Sequence, residues 1–222
     1  VNLEHIAAFW SRFALEQFEV DGALVLENRN LPFLEVNAGF PTSSDQIPAL
    51  EVWFAARGRP GVLIVPEHSD LEIAVNNAGF EPFGSFSVLE WEPGLTPGWS
   101  ALPFQIEQVS WSIARECAQI WGTQQGALKW VESISGEIAR IMQLEPKLMA
   151  FLAYQNDRAI GMALVLDGEM YLHSADLEVT RAFVKRAAFD LENAVRLYVP
   201  VEQIFRWPLL RELEQFPIWV KT

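Results

Sequence analysis

The chain of 222 residues contains a single cysteine, Cys117. An intrachain disulfide and a cysteine-built zinc cluster are both excluded. Basic residues are scarce too: 16 Lys and Arg against 29 Asp and Glu leave a formal net charge of −13. Lys185 and Arg186 are the only adjacent basic pair. A polyanion binder needs several such charges close together, so nucleic acid and anionic membranes are not expected partners. No apolar run approaches the length that spans a bilayer, and no basic stretch leads into an apolar one near Val1. The expected compartment is the cytoplasm. His5, His68 and His173 lie far apart and show no metal-ligand spacing, so no metal is expected. Gly-x-Ser-x-Gly and Walker-type loops are absent. Beyond Gly168 there is no glycine at all.

Apolar residues make up half of the chain and nine residues are Trp, ample material for a core. The length fits one large domain or two small ones. An internal repeat favours two. Ala23-Leu24-Val25-Leu26-Glu27 matches Ala163-Leu164-Val165-Leu166-Asp167 at an offset of 140 residues. The same offset lays residues 59–67 over residues 199–207, both short apolar runs. Each half reads strand, strand, helix, strand, helix, strand.

In the first half, Leu3, Ile6, Ala7, Trp10, Phe13, Ala14 and Phe18 mark a helix over 3–18. Strands are expected at about 22–27 and 32–38. A helix capped by Ser44 or Asp45 and stopped by Gly58 follows, then an apolar strand, GVLIVPE. A second helix runs from a Ser69 or Asp70 cap to Gly79, ahead of a strand ending in VLEW. Residues 92–103 hold three prolines and two glycines without periodicity and read as a linker. The division is therefore 1–91, linker 92–103, and 104–222.

The second half begins with two helices. Val109, Ile113, Cys117 and Ile120 form one stripe, and Val131, Ile134, Ile138 and Met142 the other. Three strands with turns at Asn156-Asp157 and Asp167-Gly168 come next. A helix then carries Phe183, Ala187, Leu191, Ala194 and Tyr198 on one face. A strand over VEQIFRW, a helix over PLLRELEQF with Pro208 at its start, and a strand over PIWVKT complete the chain.

This order resembles the Gcn5-related N-acetyltransferase (GNAT) superfamily. The stretch FLAYQNDRAIGMALVLDGEMYLHSADLEVTRAFVKRA is similar to its central strands and the helix that meets acetyl-CoA. NNAGFEPFGSFSVLEW resembles the family's helix–GF–strand ending, so the first half looks like a shortened copy. The fold implied is mixed α/β: two GNAT-like units in tandem, each with a mixed sheet, antiparallel central strands and helices packed on it. The resemblance also implies acyl transfer from acetyl-CoA, or a related thioester, to a small-molecule or protein amine.

The family holds the pyrophosphate on Arg/Gln-x-x-Gly-x-Gly/Ala at the start of that helix. With Arg181 as the first residue, Val184 and Arg186 occupy the glycine positions; one residue earlier they are Phe183 and Lys185. Both glycines are missing. Asp176 and Glu178 add repulsion, while Arg181, Lys185 and Arg186 offer side-chain donors. Arg57–Gly61 matches the motif by letters only, since it ends a helix and precedes a strand.

His173 and Tyr171 share a strand face, and His173 suits a base near neutral pH. Glu35 is a second candidate base, on the strand expected in the first half. The plain alternatives are a half-buried strand histidine and a carboxylate on an outward face. Tyr198 reads as a packing residue and Cys117 as a small core residue. Two functions follow: an acyltransferase-type protein with a weakened coenzyme site, or a non-catalytic module that kept the fold.

Overall fold

The structure, a computed structural model, describes residues 3–91, 104–124, 126–173, 177–191, 195–200 and 210–222. The chain forms two compact units, Val1–Ser87 with Leu213–Thr222, and Val88–Glu212. The last ten residues therefore group with the first unit, whereas the sequence division put them in the second. Residues 92–103 and the run 201–209 lie outside the described residues.

In the first unit, α1 (Leu3–Ser11) buries Leu3, Ile6, Ala7, Phe9 and Trp10. The helix stops short of Phe18, because the chain turns back to pair. Asn28 Nδ2 donates to Phe13 O at 2.6 Å and Leu15 N donates to Glu27 O at 2.9 Å. β1 (Glu16–Val20) then runs antiparallel to β2 (Ala23–Glu27). Phe18 and Val20 satisfy period two, and strand pairing prevails over the helical spacing read from the sequence.

The strand expected over 32–38 is a loop. Asn37 Nδ2 donates to Leu31 O and to Phe33 O, each at 2.9 Å, and Asn37 Oδ1 accepts from Asn28 N at 3.0 Å. A side chain that bonds its own loop in this way competes with a sheet ladder. Only β3 (Gly39–Phe40) pairs, antiparallel to β2 and parallel to β4 (Gly61–Ile64). Between β3 and β4 lie a 3-10 turn, Ser44–Gln46, and α2 (Ile47–Ala56). Ser43 caps the 3-10 turn and Gln46 stands at the N-cap of α2, in place of the expected Ser44 or Asp45. α3 (Asp70–Asn77) starts at Ser69, whose hydroxyl accepts from Glu72 N at 3.2 Å, and stops before Gly79 at φ +83°. β5 (Glu81–Trp91) follows.

The last strand of the chain, β11 (Leu210–Lys221), completes this unit's sheet, ordered β1-β2-β3-β4-β11-β5. It runs antiparallel to β4, with Ile218 opposite Ile64 and Lys221 opposite Gly61. The helix expected over PLLRELEQF is contradicted from Leu210 onward. Those residues favour helix intrinsically, but pairing with β4 and burial of Phe216, Ile218 and Trp219 outweigh propensity.

The second unit contains β6 (Gln105–Val109), α4 (Ala114–Gln124), α5 (Val131–Leu144), β7 (Met149–Gln155), β8 (Arg158–Leu166), β9 (Glu169–His173), α6 (Leu177–Leu191) and β10 (Val195–Pro200). Val109 ends β6 and is not on the α4 stripe, which begins at Ala114. The strand order is β10-β9-β8-β7-β6, antiparallel except for β9 and β10. Asn156 and Asp157 (φ 52° and 60°) and Asp167 and Gly168 (φ 50° and 86°) form the expected hairpin turns.

One sheet face carries Phe151, Ala153, Ala163, Val165, Met170 and Leu197, and receives Val179, Phe183 and Val184 of α6. α4 packs on β8 and β9, with Trp121 set 5.1 Å from Tyr171. Cys117, Ala118, Ile134, Ile138 and Ile141 are buried there with it. α6 ends at Leu191, so Tyr198 lies on strand β10 opposite Tyr171, not at the end of a helix.

Candidate functional site

Strand β9, a three-residue connection, helix α6 and the parallel strand β10 form one crossover. In such a unit ligands gather beyond the carboxyl end of the strand, where the first N–H groups of the helix have no intrahelical partner. The connection itself, residues 174–176, lies outside the described residues. α6 begins at Leu177 and carries Glu178 in its first turn. The helix offers a phosphate its free N–H groups and dipole, while Glu178 opposes it.

Arg181 is the fifth residue of α6, a full turn beyond its start. Phe183 and Val184 lie further in and are buried in the core cluster, while Lys185 and Arg186 are exposed. The backbone N–H groups of 183–186 already bond within the helix. The positions read as lost glycines therefore belong to the helix body, not to the turn. The side chains of His173 and Arg181 are outside what is described; their backbones lie at the end of β9 and inside α6. Glu35 belongs to the first unit, and His173, Arg181 and Lys185 to the second. Glu35 sits in the 31–38 loop, not on a strand, and burial raises its carboxyl above the usual range against the pull of its own backbone N–H.

A polar network that the sequence did not reveal lies on β9 and β10. Arg196 Nη1 donates to Glu169 Oε1 at 3.0 Å, and Arg196 Nε stands 3.7 Å from Glu90 Oε1. Glu169 is 7% exposed and Tyr198 1%. Burial, and then the charge of Glu169 beside it, push the Tyr198 phenol far above its ordinary value. A phenol held neutral in this way can donate a hydrogen bond but releases its proton reluctantly.

A cleft of about 700 Å³ lies between α4 and the β7–β8 turn, lined by Glu116, Gln119, Thr123, Asp157 and Arg158 among others. Tyr154 Oη donates to Glu116 Oε2 at 3.1 Å, and burial and that bond push the phenol up to about 12. Met162 pairs with His173, so Arg158 to Ile160 lie toward the sheet end at which β9 enters the connection. Cys117 is buried, and burial pushes its thiol up to about 12, which removes it as a nucleophile at neutral pH. Among the described residues no three His, Cys, Asp or Glu side chains gather as metal ligands. Among them, too, no helix is long and apolar enough to cross a membrane.

No family model matches the sequence, and no curated protein matches it. Solved structures do. The chain is similar to a GCN5-related N-acetyltransferase from Kribbella flavida, with a TM-score of 0.67 and 15% identity over 100% of this chain and 95% of that one. A GCN5-related N-acetyltransferase from Sphaerobacter thermophilus gives 0.60 and 13%, over 98% and 84%. A functionally unknown conserved protein from Staphylococcus epidermidis gives 0.63 and 12%, over 94% and 93%. The fold is that of the GCN5-related N-acetyltransferases. At these identities the likeness establishes the fold and leaves activity to the site.

Proposed function

We propose that the chain is a tandem acyltransferase-type protein that takes acetyl-CoA or a related thioester at the β9–α6 connection and transfers its acyl group to an amine. The observation that carries this reading is the parallel crossover β9–α6–β10, set in a fold shared along the whole chain with N-acetyltransferases. The first N–H groups of α6 would face the pyrophosphate, and Arg181 and Lys185, one and two turns into the helix, would add charge from their side chains. The thioester supplies the activated acyl group.

Transfer forms a C–N bond and breaks a C–S bond. The acceptor ammonium must first lose a proton, and the leaving thiolate gains one. His173 at the end of β9 is the candidate base. Tyr198 is buried and its phenol is pushed far up, so it is too weak an acid to serve the thiolate, which takes its proton back from the protonated base or from water. Glu116 and Asp157 in the α4 cleft are anionic partners for a cationic acceptor.

Titration with coenzyme A tests the reading. Arg181→Ala is expected to weaken binding about tenfold to a hundredfold, the cost of one charge-assisted phosphate contact. His173→Ala should leave affinity largely intact and lower turnover. Unchanged affinity in Arg181→Ala would move the coenzyme elsewhere. A second reading, a binding module that kept the fold, is favoured by Glu178 in the first turn of α6 and by the lack of glycine beyond Gly168. Wild-type protein that fails to bind coenzyme A would support that reading instead.

A further inference from the structure

The first unit repeats the crossover. β3 ends at Phe40, three residues follow, a 3-10 turn and α2 span Ser44–Ala56, and β4 returns parallel to β3. The second unit has the same count: β9 ends at His173 and α6 starts at Leu177. Beside the first unit's turn lies a cleft of about 390 Å³ between α1 and the sheet, lined by Ala7, Ser11, Gly22, Leu24, Phe40 and Thr42 among others.

Two adjacent N–H groups of this turn are already taken. Thr42 N donates to Gln46 Oε1 at 2.8 Å and Ser43 N donates to the same oxygen at 3.2 Å. Thr42 Oγ1 stands 3.4 Å from it. The other end of the carboxamide lies over Gly22, where a Cβ would come within 3.2 Å of Gln46 Nε2. One side-chain oxygen thus holds two adjacent N–H groups, as an anion oxygen held by a turn would. Gln46 is the third residue of its helical segment. The third residue of α6 is Val179, which is fully buried in the core cluster and has no polar atom to send back to its turn.

We propose that Gln46 closes the first unit's turn from within, so that this unit takes no phosphate-bearing ligand and the chain carries one coenzyme at most, in the second unit. The limit of one rests on the acyltransferase reading; the closure by Gln46 does not. Three measurements separate the two. Gln46→Ala should lower the melting temperature by about 2–4 °C, the typical cost of a lost cap in a chain of this size. Gln46→Glu, which keeps an acceptor oxygen at that place, should restore it. Inorganic phosphate, at the ionic strength of a chloride control, should stabilise Gln46→Ala more than wild type, because the vacated N–H groups can then donate to an anion. Calorimetry of the wild type with coenzyme A should give one site per chain. Two sites, or a Gln46→Ala protein that melts like wild type and responds to phosphate like wild type, would overturn the closure. Absence of coenzyme A binding would sink the acyltransferase reading, and the two melting experiments would still decide the role of Gln46.

Discussion

Replacing Val184 by glycine restores by letters the position that the GNAT phosphate motif would fill, and the structure predicts that it will damage the protein instead. Val184 is fully buried, on the eighth position of α6, against the sheet face of the second unit. Deleting its side chain forfeits about 1.5–3 kcal/mol of apolar burial. Glycine in a helix interior costs about 1 kcal/mol more. The sum, about 2.5–4 kcal/mol, corresponds to a fall of about 5–16 °C in melting temperature for a chain of this length. No affinity should be gained, since the N–H of residue 184 bonds within the helix whichever side chain it carries. Circular dichroism melts and coenzyme A titrations on Val184→Gly read both quantities. Arg186→Gly is the companion variant: its side chain is exposed, so no core burial is lost, and glycine in the helix interior costs about 1 kcal/mol. If either variant bound coenzyme A more tightly than wild type, the placement of the turn upstream of Leu177 would be refuted.

Cys117 should react slowly with a thiol reagent in the native state and rapidly in denaturant, because it is buried and its thiol is pushed up to about 12; fast native labelling would contradict the α4 packing. Arg196→Met leaves Glu169 buried without its cation, which should cost about 1–3 kcal/mol by urea unfolding once the partial exposure of Arg196 is allowed for. The double variant with Glu169→Gln should recover part of that loss, and strictly additive losses would argue against the pair. Burial raises the Glu35 carboxyl, so the folded chain binds a proton more readily than the unfolded one, and stability falls as pH rises from the ordinary carboxylate value through the raised one. Melting curves of wild type and Glu35→Gln should therefore converge at low pH and separate in the variant's favour above that window; curves that stay parallel would remove the burial argument.

The antiparallel centre of the second unit was readable because several local signals agree there. Strands β7, β8 and β9 are apolar runs separated by Asn-Asp and Asp-Gly, and those turn residues tolerate positive φ. The two amphipathic helices α4 and α5 showed for the same reason, since their stripes match the helical period. Elements that depend on remote partners were misread. The helix over 3–18 ends early because Glu27 and Asn28 draw residues 13–15 into pairing. The Leu-Arg-Glu-Leu-Glu run looks helical on propensity alone, yet it opens β11, whose later residues Ile218–Lys221 pair with β4, about 150 residues earlier. Asn37 defeats the expected strand over 32–38 through bonds that no periodicity records.

The site was less legible than the fold, and for a specific reason. Counted from Arg181, both glycine positions of the family pattern fall inside α6. Counted from the helix start at Leu177 instead, the residues leading into and opening the helix are serine, alanine, aspartate and leucine. A separate difference hid the polar network: α6 stops at Leu191 and does not run on to Tyr198. Arg196 and Tyr198 were read as the end of a helix, and residues two apart on a helix point to opposite sides. On the strand β10 they share a face, which brings both beside Glu169 on the parallel strand β9. The first unit did carry a readable signal: Ser43-Ser44-Asp45-Gln46 fits the pattern in which a residue three positions into a helix reaches back to its cap. The second unit has Val179 at that point. A turn whose third helical residue is apolar must satisfy its N–H groups with water, with other protein groups or with a ligand. One whose third residue is glutamine has a partner built in, and that difference separates the two halves of a chain whose hydrophobic patterns look alike.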